Sequence, residues 1–383
     1  MTRDSATSHQ EHWKHISKAL GCLLAALVLF GSTISSAESR SHNQIALAQP
    51  LTVSWRYESD QTSNLTPAAD ANAVFLPLAA GVLVALNATD GKLHWKTEAG
   101  GEFSAAPVAD ERSVYAATRY TDPEQKQVHG TLRALSKSTG VTLWMRTLPA
   151  PLAGSLAVGE NALFAGSVDG RVYAFDKHTG LTLWINEYPE AFSSQPALAG
   201  HVVYLGSDGG SLLALDQATG RLTWQYHAHG AIQGPIAVAN GIVYFGAGDG
   251  KVYAFSELRS KLLWYRRTGA AVQAVVAVEN GLLAVSLDNF AYLLSHKKGA
   301  LIWRRQLPGR ISARPITAAD GALFTPLSTD SAIVLNLRDG KPANTLPLGA
   351  ENSSSAAPIV VNNLVLITTS QGLLAFAAPQ QKP

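Results

Sequence analysis

The residues best suited to chemistry in this chain are few, and their spacing does not serve it. His227-Ala228-His229 places two imidazoles on one face of a strand, yet no Cys, Asp or Glu follows nearby to complete a metal site. The pair reads as two surface histidines. The Asp169-Gly170 and Asp249-Gly250 pairs lack the run of alternating acidic residues that a calcium loop requires. Gly166-Ser167 and Gly206-Ser207 fall at repeated strand ends and do not form the G-x-S-x-G frame of a nucleophile elbow. Cys22 is the only cysteine among 383 residues, so the chain cannot form an internal disulfide. With 30 basic against 28 acidic residues, no field strong enough to gather nucleic acid or an anionic membrane is implied.

What holds these residues is a repeat. The stretch from Ala214 to Trp224, with the Thr219-Gly220 turn inside it, recurs forty residues upstream from Ala174 to Trp184 and forty downstream from Ala254 to Trp264. Seven of the eight tryptophans keep this register, at Trp55, Trp95, Trp144, Trp184, Trp224, Trp264 and Trp303, with spacings of 40, 49, 40, 40, 40 and 39. A period near ~40 containing strand-like segments points to propeller blades. Each interval repeats an apolar run, a Gly turn, a second apolar run and a Thr-Gly-type turn. Leu163 to Gly166, Asp169-Gly170, Arg171 to Phe175, Thr179-Gly180 and Leu181 to Trp184 are the clearest set. Asp-Gly between alternating apolar residues signals a hairpin, because Gly accepts the positive φ of the primed turns.

The inner segments share a Pro or small-residue signature, at Thr66-Pro67, Ala106-Pro107, Ser155-Leu156, Gln195-Pro196, Gly234-Pro235, Ala274-Val275, Arg314-Pro315 and Ala357-Pro358. The predicted fold is therefore all-β: an eight-bladed propeller of four-stranded antiparallel blades over residues 51–378, followed by a tail at 379–383. Leu51 to Tyr57 is a Trp strand without strands of its own ahead of it, whereas the C-terminal end has strands without a Trp. The N-terminal strand is predicted to complete the last blade, which removes an unpaired sheet edge. Ser260 in place of the turn Gly, Leu293 in place of the Ala and Asn344 in place of a Trp are departures from the unit. Arg119 to Gly130 is predicted to project as a polar hairpin.

Residues 1–37 read as a targeting segment, with Arg3, Lys14 and Lys18 ahead of an apolar run from Ala19 to Phe30. A bilayer core asks for ~20 apolar residues, more than this run supplies. Ser35-Ser36-Ala37 offers a cleavage site, so the expectation is an exported, periplasmic or otherwise extracytoplasmic protein; a retained N-terminal anchor is the alternative, and would be its one contact with a membrane. Residues 38–50 are predicted to be a flexible lead-in.

Ala lies ten positions before five of the tryptophans and Gly four positions before five, and this pattern resembles the pyrroloquinoline-quinone-type β-propeller repeat family across residues 51–376. The resemblance implies that Trp55, Trp95, Trp144, Trp184, Trp224, Trp264 and Trp303 dock neighbouring blades. For the enzymes of the family it implies a quinone with Ca²⁺, often against a disulfide between adjacent cysteines, and an Asp base. A pyrroloquinoline-quinone-dependent alcohol or sugar dehydrogenase is thus one functional alternative. The chain is more similar to the noncatalytic branch of BamB-type outer-membrane assembly lipoproteins, although Cys22 lies inside the apolar run and not after it, where a lipid would attach. That likeness implies a monomeric scaffold without cofactor or metal that binds another envelope protein. Phe192, Gln195, Gln233, Gln273, Arg310 and Arg314 are the candidate channel-mouth surface, and the same residues would serve a small ligand in the central channel.

Overall fold

The structure, a computed structural model, describes residues 45–62, 64–124 and 126–379; the targeting segment, Cys22, residues 38–44 and the last four residues lie outside the described residues. Among the described residues no helix is long and apolar enough to cross a membrane. The described residues form eight sheets, each a blade, antiparallel except where the short strand Ala105–Ala106 runs parallel to the inner strand of the third blade, with a single 3-10 turn at Ala79–Gly81. The third blade is representative, with strands Leu152–Val158, Ala162–Ser167, Arg171–Asp176 and Thr182–Glu187. Its two middle strands are buried almost throughout, because adjacent sheets cover both of their faces, and they read accordingly as continuous apolar runs. The outer strand alternates, since only one of its faces meets the next blade.

The Ala and Trp of the repeat are cross-strand partners: Ala85 with Trp95, Ala134 with Trp144, Ala174 with Trp184, Ala214 with Trp224 and Ala254 with Trp264. Directly after each pair the register slips by a bulge, which twists the outer strand and turns the indole toward the following blade. There the indole lies on the turn glycine. A Cβ built on Gly180, whose φ is +69°, would stand 2.5 Å from Cε3 of Trp144, so both the backbone and the space require glycine. Five indole N–H groups donate to a carbonyl three residues before that glycine, at Lys137, Lys177, Gln217, His296 and Leu337, over 2.8–3.1 Å.

Ser260 stands in the turn that follows Trp224 in this scheme and adopts a φ of 49°. A non-glycine residue in the left-handed region is strained by roughly 1–2 kcal/mol. Ser260→Gly should therefore raise stability by about 1 kcal/mol, read as a higher denaturant midpoint with an unchanged slope; a lower midpoint would show that the serine side chain contributes more than its backbone strain costs.

The N-terminal strand Thr52–Glu58 pairs antiparallel with Gly372–Ala377 and closes the eighth blade, with Trp55 opposite Ala375 and seated over Gly91 of the first blade. This closure explains Asn344. Because the outer strand of the eighth blade arrives from the other end of the chain, that blade has no third-to-fourth-strand turn to receive an indole from the seventh. The lead-in occupies the place instead, so the part of it that is described does not hang free as the composition suggests. Leu47 is wholly buried and Ile45 nearly so, packed among Leu323, Val334 and Leu346 of the seventh blade and Val365, Ile367 and Phe376 of the eighth. Asp320 accepts the Leu47 and Ala48 amides at 3.1 and 2.8 Å, while Asn344 Nδ2 donates to the Leu47 and Gln49 carbonyls at 3.1 and 2.5 Å. The Asn amide thus does for the lead-in what an indole N–H does for a turn.

The predicted polar hairpin is present as the extension of Ser113–Thr121 and Val128–Ser136 beyond the body of the second blade, with Tyr120 stacked on His129 at 5.4 Å.

Candidate functional site

The inner strands enclose a central channel with a cavity of about 790 Å³. Among the described residues its walls are Pro, Ala, Ser, Thr, Gln and short aliphatic side chains, with no carboxylate, imidazole or thiol, and with one charge, Arg314. The Arg314 side chain is exposed to the lumen and has no hydrogen-bond or ion-pair partner among the described residues. The surrounding blades take it partly out of bulk solvent, which lowers its pKa from the ordinary arginine value without discharging it.

This donor set does not fit a quinone held with Ca²⁺. Calcium asks for about six to eight oxygen ligands, usually with several carboxylates to balance its charge, and the channel wall supplies hydroxyls and amides only. No group of three His, Cys, Asp or Glu side chains is close enough to hold a metal among the described residues. Nor does the wall offer a side chain that titrates near neutrality to take a proton from an alcohol.

Of the six candidate mouth residues, Gln195, Gln233 and Arg314 meet in the channel wall. Gln233 Nε2 donates to Asp208 Oδ1 at 3.1 Å, and Asp208 Oδ2 accepts from Ser193 Oγ at 2.8 Å. Gln273 is half-buried on the inner strand of the sixth blade, and Arg310 is exposed on the loop entering the seventh; neither lines the cavity. Phe192 must be corrected. It is 1% exposed, packed in the core between the third and fourth blades, and cannot present a surface. Its ring sits on Gly166, where a Cβ would come within 2.3 Å of the Phe192 Cβ. Ile232 over Gly206 and Val272 over Gly246 repeat the arrangement. Recurrence of an apolar residue at this loop position about every 40 residues is the signal that marks it as core.

A serine, histidine and glutamate gather at the rim beside Phe192 without forming a relay. Ser207 Oγ donates to Glu190, which with burial opposing it still holds that carboxyl below its usual pKa. Ser211 Oγ contacts His227 Nδ1 at 3.2 Å and also meets Glu190, so a hydroxyl stands between the imidazole and the carboxylate. A nucleophilic triad needs the acid on the imidazole instead.

The feature that motif reasoning missed lies on the outside. At three and one positions before the indole and one after it, the outer strand of the second blade and the residue that leads into it present Val141, Leu143 and Met145, and those of the third present Leu181, Leu183 and Ile185. All six are between 43% and 63% exposed. The repeat supplies its own control, because the same positions hold Lys92, His94 and Lys96 in the first blade and Arg221, Thr223 and Gln225 in the fourth. The fold therefore does not require apolar residues there. Arg146 of the second blade donates to the Thr179 and Gly180 carbonyls of the third, joining the two strips at one end. Reading the outward positions across repeats, and not only along one, would have found the patch.

The family described as outer membrane protein assembly factor BamB matches residues 41–144, 128–233 and 228–383. An outer membrane protein assembly factor BamB from Shewanella oneidensis is 31% identical over 105 residues, 26% of this chain and 24% of that protein. A tetrathionate hydrolase from Acidithiobacillus ferrooxidans is 30% identical over 124 residues, 28% of this chain and 23% of that protein. The chain thus spans about a quarter of the length of either relative. The crystal structure of BamB from Moraxella catarrhalis superimposes with a TM-score of 0.73 at 17% identity, over 87% of this chain and 99% of that one. A quinohemoprotein alcohol dehydrogenase from Pseudomonas putida HK5 superimposes at 0.69 and 12% identity, over 90% of this chain and 79% of that one. At such identities the two superpositions speak to the fold alone.

Proposed function

The chain belongs to the family described as outer membrane protein assembly factor BamB, and on that premise we propose that it is a noncatalytic scaffold, working outside the cytoplasm, that binds another envelope protein during assembly of outer-membrane β-barrel proteins. The observation that carries the reading is the exposed apolar face of the second and third blades. Water-facing aliphatic side chains are unremarkable one at a time. Six of them at equivalent positions of two successive blades, where neighbouring blades have charged or polar residues, fit a surface that another protein covers.

The dehydrogenase reading draws on the fold shared with the alcohol dehydrogenase, and fold alone does not carry function. Titrating the chain with pyrroloquinoline quinone and Ca²⁺, followed by dye-linked assays with alcohols and aldose sugars, separates the two. The scaffold reading expects no turnover above the protein-free background. Turnover that depends on both quinone and Ca²⁺ would overturn it.

A further inference from the structure

The charge in the central channel has no structural reason to be there. At the position where Arg314 stands in the seventh blade, the other blades carry small or neutral residues, among them Thr66, Ala106, Ser155 and Gln195. The propeller closes without a long side chain at that level, and the guanidinium is exposed to the lumen with no anion beside it. In a ring of eight, the third blade lies opposite the seventh, so Ser155 faces Arg314 across the channel and Gln195 stands next to Ser155; all three belong to the same cavity wall. Pro67, Pro107 and Pro235 give that wall an apolar surface, and its volume of about 790 Å³ is that of a small-molecule site.

We propose that the channel binds a small organic monocarboxylate, anchored by Arg314. The planar guanidinium fork matches a carboxylate with two parallel hydrogen bonds. The Gln195 amide can donate to polar atoms on the far side, the Ser155 hydroxyl, which donates to the Leu156 carbonyl at 3.3 Å, can accept from them, and the proline wall receives an apolar body. One cation without a carboxylate nearby balances one negative charge, whereas a dianion would leave a charge uncompensated among neutral walls. The inference is independent of the outer apolar face, and either stands if the other fails.

The test uses the full chain with three probes, benzoate, its uncharged analogue benzamide, and inorganic phosphate, with binding followed by titration calorimetry or ligand-observed NMR. Benzoate should bind at least about ten-fold more tightly than benzamide and than phosphate, the loss of one charge-assisted contact being of that order. Arg314→Gln should erase the preference for benzoate over benzamide with no fall in melting temperature, and Arg314→Lys should keep part of it. Equal binding of benzoate and benzamide to the native chain, stronger binding of phosphate, no benzoate binding at tens of millimolar, or a preference that survives in Arg314→Gln would each overturn the proposal. The three-probe comparison on the native chain needs no variant and decides the matter even if Arg314→Gln fails to fold.

Discussion

Leu47→Ala is expected to destabilise the ring by about 2–5 kcal/mol, the range for emptying a fully buried leucine site. A residue upstream of the first strand would ordinarily be dispensable. Here Leu47 is buried between the seventh and eighth blades, at the one seam that lacks an indole. Asn344→Ala should cost less, about 1–3 kcal/mol, because it removes the amide that grips the Leu47 and Gln49 carbonyls. Gln49→Ala, at an exposed side chain whose carbonyl is retained, should stay within about 0.5 kcal/mol of the native protein. Equilibrium unfolding in guanidinium chloride measures all three. Hydrogen exchange adds a local reading, since Leu47→Ala should lower protection in Thr52–Glu58 and Gly372–Ala377 more than in the third blade. A Leu47→Ala protein that unfolds like the native one would mean that the lead-in merely rests on the seam.

The second large effect concerns binding. Leu143→Lys combined with Leu183→Lys should leave stability within about 0.5 kcal/mol, because both side chains already face water and the first blade carries Lys and His at such positions. Recovery of the partner from detergent-solubilised envelopes should nevertheless fall about 100-fold or more, since a lysine ammonium buried at the centre of an apolar interface is costly and two central contacts of about 2 kcal/mol each are lost. His94→Lys with Thr223→Lys, the matching change on the first and fourth blades, should have no such effect. Equal losses from both pairs would point to a general charge effect and away from a docking face.

Much of this molecule could be read from its repeat. Blade number, strand content and the N-terminal closure follow from the Trp spacing, the Asp-Gly and Thr-Gly turns, and the complementary ends, because each of these is a local device that every copy must contain. What failed was interpretation of single loop residues. Phe192 sits among Glu190, Ala191 and Ser193 and looked exposed by its neighbours, but the glycine beneath it, Gly166, belongs to a strand 26 positions earlier. Asn344 was legible as a missing Trp, while its reason was topological: the turn that would receive the indole does not exist where the ring is closed by the other end of the chain. The outer apolar face escaped notice because along one strand it looks like ordinary alternation. It becomes a signal only when Leu143 and Leu183 are set beside His94 and Thr223.

The most direct measurement places a photoactivatable amino acid at Leu143, Leu183, His94 and Thr223 in turn, in cells that make the protein, and identifies what each captures. Positions 143 and 183 should yield one common adduct with an outer-membrane assembly protein, and positions 94 and 223 none. Absence of any adduct from 143 and 183, or equal capture from all four positions, would contradict that expectation.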